Sequence, residues 1–171
     1  MSERATPPNR AVPAHRKPLR LPDYDYAQAG VYLVTAVAFR RACLFGAARE
    51  GGVGLNDIGR IVASCWLAIP EHFPHIALDE WVVMPNHIHG LMVLREAGLV
   101  TVGNVVGLFK SSAARQVNAA RGGHTRLWQR GYYEHVVRSE EALSRIREYL
   151  VNNPVKWDLD DENPERKRAT R

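Results

Sequence analysis

His87-Ile88-His89 is the first place in the chain where residue type and spacing point to chemistry. Side chains alternate along a strand, so there the two imidazoles project from one face and Ile88 from the other. Two neighbouring imidazoles just after a turn can take adjacent positions on one metal ion, but a third donor must come from elsewhere. Residues 145–154, Arg-Ile-Arg-Glu-Tyr-Leu-Val-Asn-Asn-Pro, offer both a donor and a nucleophile. On a helix, Tyr149 lies beside the apolar stripe of Leu143, Ile146 and Leu150, and Asn153 follows one turn later on the same flank. Arg145, one turn earlier, would favour a nearby phosphate and ease deprotonation of a phenol whose ordinary pKa is about 10. A plainer reading competes with this one. Paired histidines on an apolar strand are more often hydrogen-bonded structure, and boundary tyrosines commonly keep the ring on the core and the hydroxyl in water.

Tyr132 and Tyr133 are rival nucleophiles, although neither has an amide partner at helical spacing. They follow Trp128-Gln129-Arg130-Gly131, an aromatic and basic cluster suited to stacking on unpaired bases, so both read as substrate contacts or core. Glu71-His72-Phe73-Pro74-His75 has an HxxH spacing, but Pro74 prevents one helix from bringing both rings to a face, and both histidines read as loop or surface. His135 could orient a phosphate or a catalytic group, but a structural role is the simpler reading. Gly51-Gly52-Val53-Gly54 lacks a following Lys-Ser/Thr and reads as a turn; neither a Walker-type phosphate loop nor a GxSxG elbow occurs. Cys43 and Cys65 have no CxxC spacing, which speaks against a disulfide framework or a cysteine zinc site, and both read most simply as small core residues.

These groups need elements to hold them. Val31–Phe39 is rich in β-branched and aromatic residues and predicts a strand. Residues 55–69 carry apolar side chains at helical spacing. Ile76–Val83 and His87–Leu94 predict a hairpin around Met84-Pro85-Asn86. A helix follows over about 101–120, with Val102, Val105, Val106, Phe109, Ala113 and Val117 on one stripe and Lys110, Ser111 and Arg115 opposite. A short strand is expected at Tyr133–Val137. The last helix starts after Ser139, a good N-cap, with Glu140 and Glu141 against the dipole, and ends near Asn153 because Pro154 disfavours helical geometry in the residue before it. The order strand, helix, hairpin, helix, strand, helix predicts an α+β, ferredoxin-like (split βαβ) antiparallel sheet with helices on one face and a C-terminal helix carrying the tyrosine.

The 171 residues suit one domain, and 46% apolar with 24% charged residues suits a soluble globular chain. No run approaches the ~18 apolar residues of a membrane span, and the first thirty residues lack the apolar block of a secretory signal, so a cytoplasmic protein is expected. A net charge of +5 permits nucleic-acid binding without establishing it. Residues 1–22 hold five of the ten prolines and five basic residues against one acid, and read as a flexible basic arm. Residues 158–171 read as a charged tail ending Arg-Lys-Arg-Ala-Thr-Arg, which leaves 23–157 as the domain.

Taken together, four segments carry a family resemblance: residues 79–90 (DEWVVMPNHIHG), 107–111 (GLFKS), 128–135 (WQRGYYEH) and 145–154. The first resembles the histidine–hydrophobic–histidine (HUH) segment of single-tyrosine transposases. All four in this order resemble the branch associated with repetitive extragenic palindromes (REP), over about residues 18–157. The resemblance implies that His87 and His89 are metal ligands, with Asn153 as the third, and that Tyr149 is the nucleophile. It implies a divalent cation, Mg²⁺ or Mn²⁺, and single-stranded DNA with hairpin structure as partner. Lys110, Arg115, Arg130 and Arg145 would then contact phosphates while Trp128, Tyr132 and Tyr133 meet exposed bases. Both a monomer and a homodimer fit. Two other classes stay open: a non-catalytic nucleic-acid-binding module on the same fold, which would need aromatic residues on the central sheet face, and a metal hydrolase that uses water and forms no covalent intermediate.

Overall fold

In the computed structural model, residues 25–49, 52–159 and 163–164 are described. The arm expected over 1–22 and most of the tail expected over 158–171 lie outside the described residues. Six strands and four α-helices run in the order β1 (Gly30–Val37), β2 (Gly46–Arg49), β3 (Gly52–Leu55), α1 (Asp57–Leu67), α2 (Ile69–His72), β4 (Ile76–Val83), β5 (His87–Leu94), α3 (Val102–Arg121), β6 (Tyr133–Val137) and α4 (Glu140–Asn152). Short 3₁₀ turns follow β1 at Phe39–Arg41 and α4 at Pro154–Leu159.

The main sheet has the order β4-β5-β1-β6 with every neighbouring pair antiparallel. β5 thus inserts between β1 and β4, the two strands that the α1 crossover joins, which is the split βαβ arrangement expected from the element order. Strand alternation sorts β5 into two faces. Ile88 and Met92 join Val34 and Ala36 in the large core with Val62 and Trp66 of α1 and Val105, Phe109 and Ala113 of α3. The other face carries His87, His89 and Leu91, and Leu91 packs with Leu143, Ile146 and Leu150 of α4. Burying each of those leucines contributes about 1.5–3 kcal/mol, enough to fix which side of α4 meets the sheet.

Local signals explain the helix limits. Asn56 caps α1 by accepting from the Gly59 N–H, Thr101 and Asn104 form a reciprocal capping box on α3, and Ser139 accepts from the Ala142 N–H at the start of α4. Gly122 ends α3 in the left-handed conformation with φ 64°. Gly90 has a packing reason: a β-carbon there would run into the Trp66 ring, so α1 lies directly on the β5 backbone behind the histidines.

Two expectations are corrected. The glycine run read as a turn instead supplies Gly52 and Gly54 to β3, which pairs with β2 in a separate two-stranded sheet; a β-carbon at Gly46 would meet the Gly54 backbone, so the close approach of these strands needs glycine. Cys43 is exposed rather than core, whereas Cys65 is buried as expected. α4 ends at Asn152, as expected, although its C-cap Asn153, just before Pro154, keeps helical angles of φ −59° and ψ −42° because the chain tightens into a 3₁₀ turn. Among the described residues no helix is long and apolar enough to cross a membrane.

Candidate active site

β5 opens on His87, and the alternation of the strand sets the two imidazoles side by side with ring centroids 4.3 Å apart. Both rings are buried. Each Nδ1 is engaged: that of His87 lies 2.8 Å from Asn86 Oδ1, and that of His89 lies 2.6 Å from Thr35 Oγ1. The Asn86 amide cannot turn round, since its nitrogen donates to the Arg41 carbonyl at 2.9 Å, a group that only accepts. Its Oδ1 therefore accepts a hydrogen bond from His87 Nδ1–H, which leaves the lone pair on Nε2. Burial pushes the His87 imidazole down to about 3, with the nearby Arg41 charge adding to the effect. The ring is thus neutral around pH 7, the form that binds a metal.

The opposing wall is the flank of α4. Tyr149 is partly exposed, and its Oη lies 3.4 Å from His89 Nε2, with the two rings meeting edge to face at 5.7 Å. Asn153 Nδ2 donates to the same Oη at 3.3 Å. α4 is also tied down by charge: Arg147 pairs with Asp79, which sits where the β4–β5 register shifts, and Arg147 Nε donates to Asp79 Oδ1 at 3.0 Å. That guanidinium holds the Asp79 carboxyl below its ordinary value. Trp157, one turn beyond Asn153, is buried with its ring 6.1 Å from that of His87 and closes that side of the site.

The four residues grouped by their spacing in the sequence, His87, His89, Tyr149 and Asn153, lie side by side in the structure, whereas Thr35, Asn86 and Trp157 were not singled out. Asn86 had a signal, being a polar residue in the turn directly before a ligand candidate. Thr35 had none, because its partner comes from register alone. Among the described residues, no three His, Cys, Asp or Glu side chains gather as a metal cluster. The donors on offer are two imidazole nitrogens, that of His87 neutral, and one amide oxygen. Such a set would suit a weakly held divalent cation.

A family model described as Transposase IS200 like matches residues 67–153, half of the chain and the stretch that carries all four of these residues. The chain belongs to the IS200-like transposase family. An uncharacterized protein of Haemophilus influenzae is 36% identical over 169 residues, covering 85% of this chain and 92% of the relative. A second protein of that organism, provisionally named a REP-associated tyrosine transposase, is 26% identical over 141 residues, covering 77% and 74%. Among solved structures, a REP-associated tyrosine transposase bound to a REP hairpin superposes with a TM-score of 0.61 at 20% identity, over 81% of this chain and 74% of the other. A Deinococcus radiodurans structure described as a transposase gives a TM-score of 0.50 at 17% identity, over 78% and 95%. At those identities the likeness speaks for the fold.

In this IS200-like transposase the residues expected to meet DNA divide into two groups. Arg130, Tyr133 and Arg145 are exposed. Tyr133 pairs with Thr35 in register, so it stands on the same sheet face as His89. The others are held by protein groups or, for Arg115, stand on another face. Trp128 is buried against Phe45 and Phe109, its indole N–H donating to the Lys110 carbonyl at 3.0 Å, so it is not a platform for a base. The Lys110 ammonium donates to the carbonyls of Gln129, at 2.9 Å, and Gly131, and burial pulls its pKa down. It clamps the 129–131 turn instead of facing solvent. The Tyr132 hydroxyl donates to Glu134 Oε2 at 2.8 Å. Arg115 is exposed on α3, where its charge acts on the Cys65 thiol in α1, so it belongs to the helical layer behind the sheet.

Proposed function

We propose that this transposase cleaves and rejoins single-stranded DNA at or near hairpin elements through a 5′-phosphotyrosine on Tyr149. The observation that carries the reading is one oxygen: Tyr149 Oη, on a partly exposed side chain, within 3.4 Å of His89 Nε2 and 3.3 Å of Asn153 Nδ2. A tyrosine meant only for packing has no need to bring its hydroxyl to a buried imidazole pair. The hairpin component is supported by the solved relative, which holds a REP hairpin.

His87, His89 and Asn153 would hold a divalent cation such as Mg²⁺ or Mn²⁺, which when bound supplies Lewis-acid polarisation of a phosphate oxygen. Asn86 and Thr35 fix the two imidazoles so that no ring has to reorient when substrate arrives. Tyr149 Oη loses its proton and bonds to phosphorus as the bond from phosphorus to the 3′-oxygen breaks; that oxygen leaves as a hydroxyl. Attack by another 3′-hydroxyl reverses the step and frees the phenol, so the phosphodiester energy is conserved in the covalent adduct. Since Tyr149 reaches His89 within one chain, the reading requires no second subunit. Incubation with hairpin oligonucleotides carrying single-stranded extensions, with Mn²⁺, should give a protein–DNA adduct that survives denaturing electrophoresis. Cleavage without an adduct would assign the site to hydrolysis by water.

A further inference from the structure

Beyond the end of β1 the backbone does something costly. Arg40 and Arg41 both sit at φ 56°, in the left-handed region. Each costs about 1–2 kcal/mol for a residue other than glycine. A turn requiring only that shape would be met by glycine, so two arginines there point to a use for the side chains. Phe39, just before them, has the Arg40 guanidinium 5.3 Å and the Arg126 guanidinium 4.6 Å from its ring centre. Such cation–π contacts hold a guanidinium in place while leaving its N–H groups to outside acceptors. Arg40 and Arg126 are exposed and form no ion pair among the described residues.

The location gives this patch its meaning. Phe39 N–H donates to the Leu127 carbonyl at 2.8 Å, and Ala38 bridges to Trp128, so the 39–41 and 126–130 segments run side by side. Neither residues 37–49 nor residues 121–133 contain an acidic side chain. Val37 is the register partner of His87, and the Arg41 carbonyl accepts from Asn86. Arg40 lies three residues beyond Val37, in the turn whose Arg41 carbonyl meets Asn86, so the two arginines belong to the end of β1 that adjoins His87.

We propose that Arg40 and Arg126, held by Phe39, form a phosphate-binding subsite that grips the single-stranded extension of the DNA where it enters the imidazole site. The inference rests on the functional reading above and adds residues that reading does not use. A grip on backbone oxygens carries no base sequence, so its signature is electrostatic.

The test measures binding of two labelled oligonucleotides, a blunt hairpin and the same hairpin with a single-stranded extension, over a salt series. It compares the unchanged protein with the double variant Arg40→Gln/Arg126→Gln. Removing one arginine–phosphate pairing on a single strand lowers the slope of log Kobs against log salt by about 0.7, so the double variant should lower it by about 1.4 for the extended oligonucleotide. The blunt hairpin should bind the variant as it binds the unchanged protein. An unchanged slope, or an equal reduction on both oligonucleotides, overturns the subsite. If the unchanged protein binds neither oligonucleotide, the functional reading itself fails and takes the subsite with it.

Discussion

Tyr149 Oη lies 3.4 Å from Nε2 of His89, a residue 60 positions earlier in the chain. The two are brought together by layers. His89 projects from the sheet face away from α1 and α3, and α4 lies across that same face on Leu143 and Leu150. Since Leu150 is the neighbour of Tyr149, burying one determines where the other points. Packing energy thus sets the position of the phenol, and the local hydrogen bonds refine it.

Asn86 is expected to act through His87. Replacing it with alanine removes the acceptor on His87 Nδ1 and leaves the Arg41 carbonyl without that donor. Loss of such a supporting partner typically weakens metal binding by roughly 10–100-fold. Mn²⁺ titration followed by electron paramagnetic resonance should show this fall, and the His87 ¹⁵N shifts should show a mixture of tautomers. Unchanged affinity and a single tautomer would remove Asn86 from the role.

Lys110 offers a way to separate structure from DNA contact. Its ammonium is occupied by two carbonyls, and hydrogen bonds to a charged group are worth about 1.5–3 kcal/mol. Lys110→Met should therefore lower the unfolding free energy by about that amount in denaturant titration. The salt dependence of hairpin binding should stay as it was. A lowered salt slope with unchanged stability would restore the phosphate-contact role read from sequence.

The Asp79–Arg147 pair should give α4 an acid-sensitive anchor. The folded-state pKa of Asp79 is lowered, so the stabilisation is complete above the unfolded value of 3.8 and is lost as pH falls through the lower folded value. Exposed pairs contribute about 0.2–1 kcal/mol, and Arg147 is partly exposed, so the effect is small. Asp79→Asn should lower Tm at pH 7, and the gap between the two proteins should narrow as pH falls below 3.8. A gap independent of pH would show that the pair does not anchor the helix.

What could be read from the sequence was whatever depends on period. The two-residue alternation of His87-Ile88-His89 and the four-residue step from Tyr149 to Asn153 each fix a face before any tertiary contact forms. Register-dependent facts were hidden: Thr35 meets His89 only because β1 pairs with β5 in one alignment, and Asn86 is locked by a carbonyl 45 residues away. Lys110 and Trp128 misled for another reason. A basic and an aromatic residue look alike in sequence whether they greet a ligand or each other, and here the indole N–H and the ammonium are spent on backbone carbonyls. The β2–β3 hairpin was obscured because glycines that allow two backbones to approach are the same residues that mark turns.

In the proposed cleavage the Tyr149 oxygen is the atom joined to DNA. The direct measurement is peptide mass spectrometry of the product formed with an extended hairpin and Mn²⁺, beside the same reaction with Tyr149→Phe. A nucleotide mass is expected on the peptide containing Tyr149, and no adduct in the variant despite hairpin affinity within about twofold, because a phenol oxygen at the protein boundary contributes little to binding when it is not reacting. An adduct on Tyr132 or Tyr133, or an adduct of undiminished yield in the variant, would contradict it.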